Sequence, residues 1–278
     1  MECPQCSLKQ PAGRNDCVRC GAVFHTLPVI SHEISRIDRA GFTSVVIGSS
    51  FGLFVALSPI GFFLSPILTI VHELGHAVFG WLFGYPSIPA FDFVYGGGVT
   101  INTDRQYGLL LLIYLIFGAV IYKFRKNRSI VTISILLVLL HLLCSFTSLH
   151  NLLCVSMGHG FELLFASIFL YRAISGSSLV YKLEQPLYGF VGSYIVFHNV
   201  KFAYQLLTSS AFRIEYEEAK GGGHWMDFSR IADDYTGGKL LIVALLFLVS
   251  SLLVPLVTFL SYRYHKHLAN IFSDVYQA

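Results

Sequence analysis

The stretch Pro66-Ile-Leu-Thr-Ile-Val-His-Glu-Leu-Gly-His-Ala-Val-Phe-Gly-Trp-Leu-Phe83 is apolar apart from Thr69 and three ionisable residues, His72, Glu73 and His76. Its length is near the lower limit for a helix that crosses a bilayer. Residues four apart on a helix point from the same face, so both imidazoles can reach one metal ion, with Glu73 beside that face. In such a site the metal lowers the pKa of a bound water, and a glutamate accepts its proton. Two histidines and a glutamate in an apolar helix are costly unless they are paired or functional. The pattern therefore predicts a buried metal-site helix, and small Gly75 and Ala77 would let another backbone approach it closely.

The rest of the chain fits that setting. Of its 278 residues 54% are hydrophobic and 13% are charged, against about 25% charged in a typical soluble domain. With a mean hydropathy of +0.64, the composition points to an integral, multi-pass membrane protein in contact with the lipid bilayer. A formal charge of +3 is too small to suggest a nucleic-acid partner, and basic residues beside apolar segments read as interfacial anchors. Residues 1–30 lack a basic start followed by an apolar core, so no signal peptide is expected.

Seven apolar segments are legible: Thr43–Phe63, Pro66–Phe83, Tyr107–Tyr122, Ile130–Thr147, Gly158–Ile174, Leu187–Leu207 and Lys239–Tyr262. Several are short for a span, so the expected fold is an all-α polytopic bundle of about six to seven transmembrane helices. Residues 84–102, broken by Pro86, Pro89 and Gly96-Gly97-Gly98, read as a β-hairpin-like segment at the membrane surface, where a substrate strand could add to an edge. Arg36 and Arg39 favour a cytosolic N-terminus, whereas the cluster Lys123 to Arg128 asks to be cytosolic as well. Three full spans between them would separate the two. Either an early segment is re-entrant, with a break at Ser58-Pro59 or Ser65-Pro66, or the charge rule fails here.

The polar N-terminus carries Cys3-Pro-Gln-Cys6 and Cys17-Val-Arg-Cys20. Two such knuckles fit the tetrahedral preference of a structural zinc ion, and two disulfides are the other reading. A module this small folds only with its metal, and reduced thiols would place it in the cytosol. The expected organisation is a zinc ribbon over 1–24, a linker over 25–42, a membrane domain over 43–264 and a tail over 265–278. The ribbon would serve regulation or recruit a protein partner.

In its Ile70-Val-His-Glu-Leu-Gly-His-Ala-Val78 run the sequence resembles the membrane-embedded HExxH metalloproteases, most closely the site-2 protease group. The resemblance covers that helix and extends at most to the glycine-rich hairpin after it. It implies an intramembrane peptidase fold acting on membrane-protein or peptide substrates, with catalytic Zn2+ on His72 and His76 and with Glu73 as base. In that group the third ligand comes from an aspartate in a later Asp-Gly motif. This chain contains no Asp-Gly pair, so the third ligand is not carried over.

Two local sets can replace it. His159 and Glu162, three apart, share a helix face and read as ligand and ligand partner, or as a helix-start histidine with an interfacial glutamate. In Gly221-Gly-Gly-His-Trp-Met-Asp227, flexible glycines could deliver His224 or Asp227 to the metal, and an ordinary solvated loop is the alternative. His198 and Asn199 could bind a substrate backbone or stabilise an oxyanion, or simply bond between helices. His141 and His150 read as packed or interfacial, Cys144 and Cys154 as small buried residues, and His265 and His267 as interfacial. The chain is thus expected to be a zinc endopeptidase with one catalytic and one structural Zn2+. The rival readings are an inactive scaffold or adaptor of the same fold, and a transporter, which would spread ionisable residues through several spans.

Overall fold

The computed structural model describes residues 6, 8–10, 17–20, 37–92, 97–177, 179–218 and 226–273, with side chains up to residue 265. In chain order the elements are α1 (Arg39–Leu57), α2 (Gly61–Leu82), β1 (Ser87–Phe91), β2 (Gly98–Asn102), α3 (Tyr107–Lys123), α4 (Arg128–Ser145), α5 (Leu149–Ser175), α6 (Glu184–Thr208), α7 (Ser210–Glu218), α8 (Asp227–Tyr235) and α9 (Leu240–Ser273). Five helices, α1, α2, α4, α5 and α9, are long and apolar enough to cross a membrane. Apolar side chains such as Leu245, Leu246, Leu252 and Leu256 face outward from α9, as a lipid-facing helix requires. Together these features make the chain a membrane protein.

Two expected segments stand apart from those five. Helix α3 is shorter, at 17 residues, and α6 carries Gln185, His198, Asn199, Lys201 and Gln205. Those polar groups are tolerable because α6 packs against α1, α5 and α9 rather than standing alone.

The early break falls at Ser58-Pro59, between α1 and α2, and α2 runs unbroken through Pro66. Pro66 cannot donate to the Phe62 carbonyl one turn back, but the Ser65 hydroxyl does so at 2.8 Å. At the break itself, Lys201 Nζ donates to the Ala56 carbonyl at 3.0 Å and the Tyr194 hydroxyl donates to that of Gly61 at 2.9 Å. Backbone groups freed at a helix interruption in a membrane need such partners.

Small residues bring the helix axes together. A Cβ at Gly48 would collide with the backbone of Gly189 and Phe190, and one at Gly52 would lie 2.9 Å from Tyr194 N. Ser49 and Ser193 bridge the same interface with hydroxyl oxygens 2.8 Å apart. Between α2 and α5, a Cβ at Gly75 would collide with the Met157 carbonyl, so these backbones touch directly.

One buried cluster, including Val55, Leu68, Ala166, Leu170 and Tyr194, joins α1, α2, α5 and α6. A second, including Leu206, Tyr216, Phe228, Ala232, Val243 and Phe247, seats α7 and α8 against α6 and α9. The expected hairpin is an antiparallel pair in register from Ser87 opposite Asn102 to Phe91 opposite Gly98, and residues 93–96 lie outside the description. After the hairpin, Arg105 donates to the Phe83 carbonyl at 3.0 Å and the Ser145 carbonyl at 2.8 Å, tying the C-terminal ends of α2 and α4 to the hairpin exit.

Candidate metal centre

His72 and His76 lie one turn apart on α2, with Nε2 atoms 3.0 Å apart. Asp227, the first residue of α8, places Oδ2 at 2.8 Å from His72 Nε2 and 3.0 Å from His76 Nε2. The opposite ring nitrogens are also held. His76 Nδ1 is 2.7 Å from the Cys154 carbonyl, and His72 Nδ1 is 2.9 Å from Glu162 Oε1. A carbonyl can only accept, and an ionised carboxylate likewise, so both contacts assign the ring proton to Nδ1. Each neutral imidazole then turns its Nε2 lone pair toward the Asp227 carboxylate. Three lone-pair atoms this close repel one another unless protons or a metal ion stand among them.

The donor set fits a metal. Atoms separated by 2.8, 3.0 and 3.0 Å share a point roughly 2.0–2.1 Å from each, the ordinary zinc-ligand distance. Two imidazoles and one carboxylate are the three protein ligands of a catalytic zinc site that keeps a fourth position open. Room for an ion comes from Gly158 on α5, where a Cβ would sit 2.5 Å from His72 Nε2 and collide with His76 Nε2.

Asp227 reaches the site because α8 is docked by its neighbours. Phe228 packs with ring centroids 5.1 Å from Phe247 and 5.6 Å from Phe202, and its backbone N–H donates to the Tyr216 hydroxyl at 3.2 Å. His224, in the same loop, lies outside the described residues.

Glu73 is buried beside the two histidines without joining them. The Thr100 hydroxyl on β2 lies 2.7 Å from its Oε2 and 3.0 Å from its backbone carbonyl. A Cβ at Gly98 would collide with the same carboxylate, so β2 closes over Glu73 at contact distance. A cavity of about 880 Å³ opens between the hairpin and the helices, and His72, Glu73, His76, Thr100, His198 and Asn199 all line it. Asn199 is 1% exposed and its Nδ2 has no hydrogen-bond partner among the described residues, whereas His198 packs its ring 5.9 Å from that of Tyr194.

His159 and Glu162 sit within α5, which starts at Leu149 rather than at the expected Gly158. Polar Asn151 and Gly158 face the cavity and the histidines, so they do not end the helix. Glu162 Oε2 accepts from His159 Nδ1 at 3.3 Å while Oε1 faces His72. His141 is a packed histidine between the Tyr114 hydroxyl, at 3.0 Å, and the Leu82 carbonyl, at 2.9 Å. His150 bonds the hydroxyl of Tyr85 at 3.1 Å. Thr100, Gly158 and the Cys154 carbonyl carry no motif that singles them out in sequence, and only the closed structure brings them to the site.

Toward the N-terminus, the sulfurs of Cys6, Cys17 and Cys20 lie within 4.8 Å of one another, a set able to hold a metal ion. Cys6 and Cys17 Sγ are 3.5 Å apart, far beyond the roughly 2.05 Å of a disulfide. Gln10 Oε1 accepts from Val18 N at 3.1 Å and so ties the two knuckles. Cys3 lies outside the described residues. No family model, curated protein or solved structure matches the chain.

Proposed function

We propose that the chain is a membrane-embedded zinc endopeptidase of the site-2 protease kind, with His72, His76 and Asp227 as metal ligands and Glu73 as general base. One observation carries the reading. Two imidazoles anchored through Nδ1 meet one carboxylate within 3.0 Å, beside a buried glutamate, on the wall of a cavity.

When bound, zinc supplies Lewis acidity, which lowers the pKa of water toward neutrality and polarises a peptide carbonyl. Glu73 takes the proton of the attacking water and returns it to the leaving amine nitrogen, so peptide and water become acid and amine. Thr100 holds the Glu73 carboxylate through the 2.7 Å hydrogen bond, which keeps the base from swinging onto the metal ligands. Asn199 Nδ2 donates to the carbonyl oxygen as negative charge develops there, the kind of contact whose loss costs about 10²–10³ in rate. Among the described residues β2 pairs only with β1, and Val99 and Thr100 line the cavity. An extended peptide from a membrane-protein substrate aligns there by backbone hydrogen bonds.

The thiolate set near the N-terminus supports a structural zinc on Cys3, Cys6, Cys17 and Cys20. Such a module recruits a protein partner or substrate from the cytosol, where its thiols stay reduced.

The test is cleavage of single-span reporter proteins by the purified full chain in liposomes, with products identified by mass spectrometry. Glu73→Gln should retain metal and lose at least roughly 100-fold in rate. Undiminished cleavage in that variant, or full activity after zinc chelation, would sink the proposal.

A further inference from the structure

His72 faces a carboxylate from each ring nitrogen, so two metal sets share it. One is His72, His76 and Asp227, and the other is His72, His159 and Glu162. Their geometries differ. In the first, both Nε2 atoms converge on the same oxygen of Asp227. In the second, His72 and His159 bond different oxygens of Glu162, at 2.9 and 3.3 Å. A carboxylate that accepts one N–H on each oxygen bridges the two rings by hydrogen bonds. Bonding of that kind fixes the tautomer and ring plane of a metal-binding histidine and makes it a stronger ligand.

His159 has a second set of contacts. Its ring lies 4.6 Å from that of Phe228, 4.7 Å from Phe247 and 5.6 Å from Phe202. Phe228 is the residue after Asp227, so the ring that braces Glu162 is also part of the wall against which α8 docks. On its remaining side, the His159 ring meets that of His72 edge to face at 4.4 Å.

Resting on the metal assignment above, we propose that Glu162 and His159 are positioning residues and not ligands. Glu162 holds His72 in its Nδ1-protonated form. His159 braces Glu162 on one side and Phe228 on the other, so that a ligand of α2 and a ligand of α8 are set by the same side chain. A residue on α5, which contributes no ligand of its own, thereby registers two distant parts of the chain to each other.

Cobalt(II) titration of the full chain tests this, because thiolate-bound cobalt at the N-terminus has charge-transfer bands that a nitrogen and oxygen site lacks. Glu162→Ala should weaken the non-thiolate site roughly 10- to 100-fold while leaving its visible d–d spectrum unchanged. Glu162→Gln keeps an acceptor for His72 Nδ1–H in nearly the same shape and should recover most of the loss. His159→Phe keeps the ring packing and removes the hydrogen bond, and should weaken binding as Glu162→Ala does. Asp227→Ala should abolish the site.

The proposal is overturned if Glu162→Gln or His159→Phe abolishes binding as Asp227→Ala does, or if their d–d bands shift, since either marks a direct ligand. It is equally overturned if Glu162→Ala binds cobalt as tightly as the unmodified chain. An unmodified chain that shows thiolate-bound cobalt alone would overturn both this proposal and the peptidase assignment, whereas ligand-like behaviour of Glu162 or His159 leaves the peptidase assignment standing.

Discussion

Asp227 Oδ2 lies 2.8 Å from His72 Nε2, although 155 residues separate the two along the chain. The contact joins the first residue of a short amphipathic helix to the middle of an apolar one, and the three-residue metal set is incomplete without it.

Replacement of Asp227 by Asn keeps its shape and removes its charge. The full chain is expected to lose its non-thiolate zinc, measured by elemental analysis after dialysis, and to lose cleavage with it. The structural zinc proposed for Cys3, Cys6, Cys17 and Cys20 should stay bound, because Asp227 belongs to a different set. Full zinc occupancy in the Asn variant would remove Asp227 from the ligand set.

Thr100→Val removes the hydroxyl that holds Glu73 but keeps the β-branched shape. A hydrogen bond to a charged group contributes about 1.5–3 kcal/mol, which sets the upper end of the effect. We expect kcat to fall roughly tenfold or more with zinc content unchanged. An unchanged kcat would mean that Glu73 is oriented by other groups.

Gly158→Ala puts a methyl group where the two Nε2 atoms face α5. Helix propensity alone would favour Ala by about 1 kcal/mol, yet the contact distance makes the change disruptive. The expected outcome is loss of the non-thiolate metal together with a lower melting temperature. Gly118→Ala, where the added Cβ meets no described atom of another element within 4 Å, should keep the metal and should not lower the melting temperature.

Cys17→Ser should weaken cobalt binding at the N-terminus and lower its thiolate-to-cobalt charge-transfer intensity, while the membrane-domain site keeps its d–d bands. Loss of both signals together would show that the N-terminal metal supports the fold of the membrane domain. Chelator sensitivity of partner binding, measured by pull-down with and without the substitution, reports whether the ribbon recruits proteins.

Much of the helical architecture was legible from the length and apolarity of the segments. Long apolar runs have one stable solution in lipid, and Pro86, Pro89 and Gly96-Gly97-Gly98 leave extended structure as the option between Gly84 and Asn102. Boundaries were harder to place. Ser148, His150 and Asn151 resemble a segment end, but they lie at the start of α5 because Asn151 faces the cavity and His150 bonds Tyr85. Pro66 resembled a break, but the Ser65 hydroxyl satisfies the carbonyl that it frees.

His72 and His76 could be assigned to one face, with Glu73 beside it, from sequence alone, because helical geometry fixes the spacing of near neighbours. The set that completes them could not. Glu162 and Asp227 were both chemically competent, and neither sequence distance nor composition ranks two carboxylates that approach from different helices. Tertiary packing gives the two carboxylates different places around His72. The close approach of Gly75 to the Met157 carbonyl sets α5 against α2 with Glu162 facing His72 Nδ1, while Phe228 against Phe202 and Phe247 carries Asp227 to the two Nε2 atoms. An imidazole has two nitrogens pointing in different directions, and only the arrangement of helices around it determines which carboxylate each one meets.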